Sequence, residues 1–313
     1  MASITVLVPS FNHAKFIERT LRSIFAQTLP PEKLIVIDDG SDDESVDVIQ
    51  RVMTECPFPS LFIARRNSGL SATLNEGLSH STGKYFAYLG SDDVWLPQFL
   101  AEQVALLESR PAAVLAFSHA YLIDAANRIF DTTQNWTDFA DGDMLPMLLG
   151  GQVFSSPGVV YRRAALEKHR WNEDSVLEDY ELYLKLSVDG EFVRNENLLC
   201  GWRQHGGNVS GNFPLMLDEW IAAQNRVAPE LGLERDELDR IQTQLRFDAV
   251  ASLVRHGHRR KAWKEFRENL AGSRSPTHTV GNLLRIAAPG PIFDLNRRRK
   301  RAAAIRRFGK LEI

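Results

Sequence analysis

The sequence predicts an α/β protein built on a doubly wound mixed sheet flanked by helices, with a helical C-terminal extension. Three observations carry that reading. Short β-rich runs alternate with helical stripes through the first third of the chain. One of those runs is apolar at every position, and no convincing strand is found from Phe213 onward. Alternating strands and helices build a sheet covered on both faces, with ligands beyond the carboxyl ends of its strands.

The elements follow in order. Ile4-Thr5-Val6-Leu7-Val8 is a β-rich run closed by Pro9. Phe16, Ile17, Leu21, Ile24 and Phe25 recur at spacings of three and four, a helical stripe. Leu34-Ile35-Val36-Ile37 is apolar on both faces, as a central parallel strand requires, and ends in Asp38-Asp39-Gly40-Ser41. Ser41 and Glu44 have the form of a capping box for the next helix. Leu61 to Ala64 reads as a third strand and Leu70 to Ser79 as a short helix. Tyr85 to Leu89 reads as a fourth strand delivering Ser91-Asp92-Asp93, and Pro97 opens a helix through Leu107. Val114 to Phe117 and Val159 to Tyr161 are strand-like, flanking a helix near Met144 to Leu149. A further helix is expected over Leu177 to Val188, then Leu215 to Ala228, Arg235 to Val254 and Lys261 to Leu270. Pro289-Gly290-Pro291 marks a break before a basic segment, Arg297 to Lys310.

Composition narrows the class. The 313 residues are 44% hydrophobic and 25% charged, which excludes disordered and collagen-like chains. Cys56 and Cys200 are too few for a disulfide framework and are expected as buried, reduced thiols. No secretory signal precedes Ile4, and the longest mostly apolar stretch, Ala112 to Ile123, is short of the roughly 20 residues of a membrane span. A cytoplasmic protein is expected. On that reading the sequons at Asn135-Trp136-Thr137 and Asn208-Val209-Ser210 are chance matches. The net charge of −3 hides an asymmetry: 16 Lys/Arg against 4 Asp/Glu from Arg255 on leave −15 for the preceding residues. A basic tail on an acidic body points to an anionic surface, either membrane or nucleic acid.

Two acidic pairs fall at strand ends, where ligands bind. Asp38-Asp39 fits a plain turn, and equally a site accepting hydrogen bonds from a base or a ribose. Asp92-Asp93 would repel each other without a cation or donors, and suits Mg²⁺ or Mn²⁺. A third pair, Glu178-Asp179, complements a helix dipole or supplies a general base. His205, in Trp202-Arg203-Gln204-His205-Gly206-Gly207-Asn208, is a loop residue, a diphosphate or sugar contact, or a metal ligand. Neither a P-loop nor a G-x-G-x-x-G turn is present, which argues against NTPases and dinucleotide oxidoreductases.

In series, these segments resemble the family 2 glycosyltransferases, inverting sugar transferases with the GT-A fold. The resemblance runs through Val6-Leu7-Val8-Pro9-Ser10-Phe11-Asn12, Ile35 to Ser41, Asn67-Ser68-Gly69-Leu70, Asn75, Gly77, Gly83 and Tyr85. It continues through Leu89-Gly90-Ser91-Asp92-Asp93, Leu177 to Leu182, and Arg203-Gln204-His205 with Asn208 and Ser210. It covers about residues 3 to 211, which implies a transferase domain over 1–211 with a helical region over 212–313. Within the domain, 1–120 is the implied nucleotide-sugar half and 121–211 the acceptor half. The resemblance implies nucleotide contacts from the Pro9 carbonyl, Asp38, Asp39, Asn67 and Asp92. Ser91-Asp92-Asp93 takes the D-x-D position with Ser as its first letter, so Asp93 is the implied ligand of Mn²⁺ or Mg²⁺. Asp179 is the implied catalytic base, and Glu178, Arg203 and His205 lie near the diphosphate or acceptor.

The implied donor is a nucleotide-diphospho-sugar of UDP or dTDP type. The implied acceptor is a saccharide or lipid-linked saccharide in cell-surface polysaccharide synthesis, shaped by residues Trp136 to Ser156. Ile305, Phe308 and Leu311 recur every third residue within the basic tail, a pattern suited to an anionic membrane. The same run fits a solvated charged tail. A nucleotidyltransferase also uses paired acids and Mg²⁺, but it usually needs a basic Gly-rich first loop absent here. A nucleic-acid partner is not expected, because the body is acidic and the tail has no interleaved aromatics.

Overall fold

The computed structural model describes residues 3–136, 138–206 and 211–312. The strands in chain order are β1 (Ile4–Ser10), β2 (Lys33–Asp38), β3 (Ser60–Ala64), β4 (Tyr85–Tyr88), β5 (Val94–Trp95), β6 (Ala113–Ile123), β7 (Ile129–Thr132), β8 (Val159–Arg162) and β9 (Glu191–Arg203). They form one sheet in the order β3-β2-β1-β4-β8-β6-β9-β5, with β7 paired to β6. The first four are parallel, β8 runs antiparallel to both β4 and β6, and β9 is parallel to β6. The sheet is therefore mixed.

Both faces of the parallel half are covered. Ile4, Val6, Val8, Leu34 and Val36 point to one side. There they meet α1 (Ile17–Phe25), α2 (Ser45–Met53) and α4 (Phe99–Ser109). Leu7, Ile35 and Ile37 point to the other, against α3 (Leu70–Ser79) and α7 (Glu178–Leu186). Every side chain of Leu34 to Ile37 is fully buried, worth about 1.5–3 kcal/mol apiece. Pro9 is tolerated in β1 for a definite reason. The Ile4 and Ser10 carbonyls accept from Glu32 and Asp39 on the β2 side, so Pro9 faces β4, whose pairing ends at Leu7. No ladder bond is lost.

Short helices α5 (Leu145–Leu149) and α6 (Arg163–His169) complete this part, and α8 (Phe213–Val227), α9 (Arg235–Arg255) and α10 (Arg259–Glu268) extend it. Leu217, Trp220, Leu245, Phe247 and Val250 belong to the same apolar cluster as Tyr180 to Leu186 of α7, so the helical region shares its core with the sheet. Two more helices follow, α11 (Pro276–Ala287) and α12 (Gly290–Phe308). Pro289 and Pro291 open α12 rather than ending order there. No helix among the described residues is long and apolar enough to cross a membrane. Both cysteines are free thiols, Cys200 buried and Cys56 partly so.

Three expectations are corrected. The second helix starts at Ser45, with Glu44 at its N-cap position and no side-chain cap. Ser41 instead donates its hydroxyl to Asp38 at 2.7 Å, so it closes a turn at the strand end. Residues 191–203, part of them expected as a loop, form the long strand β9. The tail's apolar stripe faces the protein itself. Leu311 is buried with Val94, Ile123 and Ile129, and Phe308 packs edge-on to Tyr121. Gly309, at φ +71°, turns the chain after α12 so that its carbonyl accepts from Ile129 and the Leu311 N–H donates to Asn127. That stripe is not available to a membrane.

Candidate active site

Asp38 ends β2, and its two carboxylate oxygens accept from the Ser41 backbone N–H at 2.9 Å and the Ser41 hydroxyl at 2.7 Å. Asp39 reaches the neighbouring loop. Its carboxylate accepts from the N–H groups of Ser68 and Gly69 at 2.9 and 2.8 Å and pairs with the Arg65 guanidinium at 3.1 Å. Gly40, at φ +81°, lets the two loops touch. A Cβ there would lie 2.7 Å from the Asn67 nitrogen. The first acidic pair thus consumes donors from its own turn and from the loop carrying Asn67. Beside it the Ser10 hydroxyl is buried with no hydrogen-bond partner among the described residues, an unsatisfied polar atom at the end of β1.

The segment after β1 ties this turn to the second acidic pair. The Asn12 N–H donates to the Ser41 hydroxyl at 2.8 Å, and its side-chain oxygen accepts from the Asp42 N–H at 2.8 Å. His13 donates its N–H to the Ser45 hydroxyl at 3.0 Å, while its Nδ1 lies 2.8 Å from the Ser91 hydroxyl and 3.8 Å from Asp92 Oδ1. His205 approaches from beyond β9, with Nε2 2.9 Å from Asp92 Oδ2. The Phe16 ring stacks on His205 at 5.5 Å and lies 4.7 Å beneath the Arg203 guanidinium. His13, Asp92 and His205 each offer a ligand atom, all within 4.8 Å of one another. Burial, and secondarily the neighbouring His205, hold His13 below the ordinary histidine range despite the opposing pull of Asp92, which keeps a neutral imidazole ready to bind. Two imidazoles and a carboxylate are a competent donor set for a divalent transition ion such as Mn²⁺.

Asp93, the implied metal ligand, has one carboxylate oxygen engaged within the protein, while its Oδ2 lies with Asp92 Oδ1 against Gly90. Its Oδ1 accepts from the Arg203 backbone N–H at 2.7 Å, inside the protein. Burial and then the adjacent Asp92 push its carboxyl well above the usual carboxylate range. Arg203 is engaged within the protein. Only 1% exposed, it donates through Nε to the Asp92 carbonyl at 2.6 Å and through Nη1 to the Asp124 carbonyl at 2.7 Å. Its N–H groups satisfy these buried carbonyls, so it braces the turn. Thr20 of α1 does the same from the other side, its single hydroxyl hydrogen shared between the Ser91 and Asp93 carbonyls at 2.9 and 2.7 Å.

The third pair stands at the start of α7. Asn75 of α3 exchanges hydrogen bonds with the Trp171 backbone and binds Glu173, anchoring the segment that leads into this helix. The Tyr88 hydroxyl, at the end of β4, donates to Glu178 at 3.3 Å, which brings the pair to the strand end that delivers Asp92. Burial and then the charge of Glu178 raise the Asp179 carboxyl well above its usual range, and burial raises Glu178. Both keep partial solvent access. Among the described residues no other side chain hydrogen-bonds to Asp179. Asn208 and Ser210, and Thr137 of the first sequon, lie outside the described residues.

The sequence reading missed His13 altogether. Its only local signal was a ring three residues past a strand end; its partners, Ser91 and Asp92, are far along the chain.

The fold is that of the GT-A glycosyltransferases. A mannosyltransferase from Pyrobaculum calidifontis, solved in complex with GDP-Man and Mn²⁺, matches with a TM-score of 0.63 at 17% identity, covering 98% of this chain and 87% of that one. The family model of Glycosyl transferase family 2 matches residues 5–170, and the chain belongs to that family. An uncharacterized glycosyltransferase of Nostoc sp. is 30% identical over 169 residues, 53% of this chain and 52% of the relative, so this chain spans about half that protein's length. The UDP-Glc:alpha-D-GlcNAc-diphosphoundecaprenol beta-1,3-glucosyltransferase of Escherichia coli is 26% identical over 216 residues, 68% of this chain and 81% of the enzyme.

Proposed function

We propose that this glycosyltransferase inverts the anomeric centre of a sugar carried by a UDP-type nucleotide, passing it to a lipid-linked saccharide at the cytoplasmic membrane face during cell-surface polysaccharide synthesis. One observation carries the reading. Asp92 turns a carboxylate toward two imidazoles at a strand end, and Asp179, with its proton affinity raised, is drawn toward the same strand end through Tyr88 and Glu178. The relative in Escherichia coli, whose name specifies UDP-Glc and a diphosphoundecaprenol-linked sugar, supports the choice of donor and acceptor.

The roles follow from the chemistry. Asp92, His205 and His13 would hold a divalent ion, which when bound offsets the negative charge that builds on a departing diphosphate. Two imidazoles favour Mn²⁺ over Mg²⁺, a harder ion that takes oxygen ligands. Asp179 removes the proton from the attacking acceptor hydroxyl, and a carboxylate of raised proton affinity is a stronger base for that step. Glu178 keeps that affinity high. Asp39 holds the 65–69 loop at the end of β2, where the nucleoside would lie, and Asp38 shapes the turn beneath it. Attack from the face opposite the diphosphate inverts the configuration in one displacement.

A panel of nucleotide sugars with Mn²⁺ or Mg²⁺ and a polyprenyl-diphosphate saccharide tests the reading. The expected products are a nucleoside diphosphate and a glycoside of inverted configuration, with faster turnover in Mn²⁺. Release of pyrophosphate from a nucleoside triphosphate would instead make the chain a nucleotidyltransferase, the alternative that paired acids also allow.

A further inference from the structure

The last two helices carry a surface that the candidate site does not use. α11 is inverted. Its inward face holds Asn282, fully buried and donating through Nδ2 to the Phe247 carbonyl at 3.1 Å, with the part-buried Ile286 beside the core. Its outward face shows Val280, Leu283, Leu284 and Ala287 at helical spacing, and Leu284 is 64% exposed. Leu295 on α12 is exposed as well. Soon after it come exposed cations: Arg298, Arg299 and Lys300 lie between Arg297, which donates to the Arg255 carbonyl, and Arg301, which pairs with Asp124 at 3.2 Å. Phe293 packs against the core before this run, and Phe308 and Leu311 are packed after it, so the cationic stretch lies between two anchors.

We infer that α11 and the first half of α12 form a docking surface for an anionic lipid bilayer. Leucines at outward helical spacing fit the boundary between headgroups and acyl chains, and the adjacent cations fit anionic headgroups. A nucleic acid would engage the cations and leave the leucines in water. A second copy of the chain would cover the leucines but crowd two runs of like charge together. The lipid surface alone meets both features. The inference stands apart from the donor and acceptor proposed above, because its test needs neither.

Sedimentation of the full chain with vesicles of phosphatidylcholine alone, or with about one third phosphatidylglycerol, reads the binding directly. Binding to the anionic vesicles is expected to be at least about a hundredfold tighter, at roughly a factor of five for each cation near the surface. The triple variant Arg298→Gln, Arg299→Gln, Lys300→Gln should lose about that factor. Leu283→Asp with Leu284→Asp should weaken binding more than tenfold, given the apolar area withdrawn from water. All three positions of the first variant and both of the second are exposed, and unchanged circular dichroism checks the fold. Equal binding to both vesicle types, or none to either, would overturn the inference. So would tighter binding to duplex DNA at the same salt, or a dimer in sedimentation velocity that the double-leucine variant abolishes.

Discussion

Two acidic pairs stand at neighbouring strand ends and read alike in sequence, yet the fold spends them differently. At Asp38-Asp39 both carboxylates are taken up by N–H, hydroxyl and guanidinium donors of two adjoining loops. At Asp92-Asp93, both buried, one carboxylate accepts from the Arg203 backbone N–H and the other meets His205 and His13. The lesson is that adjacent acids at a strand end are divided by which one the backbone needs. The first pair builds a cradle, whereas the second sets one carboxylate beside two imidazoles.

Variants can break or sharpen that contrast. The largest effect is expected at the third pair: Asp179→Asn should lower kcat by about 10²–10⁴, the span of general-base catalysis, with the melting temperature nearly unchanged. Arg203→Met would leave the Asp92 and Asp124 carbonyls without their donor, and urea denaturation should register a loss of about 1–3 kcal/mol for each carbonyl left buried and unpaired. Asp39→Ala tests the cradle. It removes the acceptor of the Ser68 and Gly69 N–H groups, both on exposed residues that water can reach, so the same denaturation should show only the net worth of a hydrogen bond, about 0.5–1.5 kcal/mol for each. If Asp39→Ala instead left stability intact and abolished only donor binding, the contrast between the pairs would fail. The smallest effect is a shift. Glu178→Gln removes a negative neighbour that raises Asp179, so the acid limb of the pH–rate profile should move to lower pH.

Much of this fold was legible, for physical reasons that differ by element. Leu34 to Ile37 announced a central strand because every position is apolar, and α3 was read over its whole length, Leu70 to Ser79. β9 was hidden because Arg194 to Asn197 interrupt its apolar pattern at the place where pairing with β6 skips, from Ser118↔Asn195 to His119↔Leu198. The tail's three-residue periodicity was real, but its partner is the protein's own β7 and β6 edge, a contact with no local trace. In the site, the residue types and strand ends were readable. Which of Asp92 and Asp93 meets the two imidazoles was not, since the other accepts a backbone N–H supplied from Arg203, at the end of β9.

The account turns on that division of labour, and Mn²⁺ titration of two isosteric variants, followed by electron paramagnetic resonance, tests it most directly. Asp92→Asn should lose most of the affinity of the unaltered chain, whereas Asp93→Asn, which can still accept from the Arg203 N–H, should retain it. Loss of Mn²⁺ binding in Asp93→Asn with binding kept in Asp92→Asn would contradict the account.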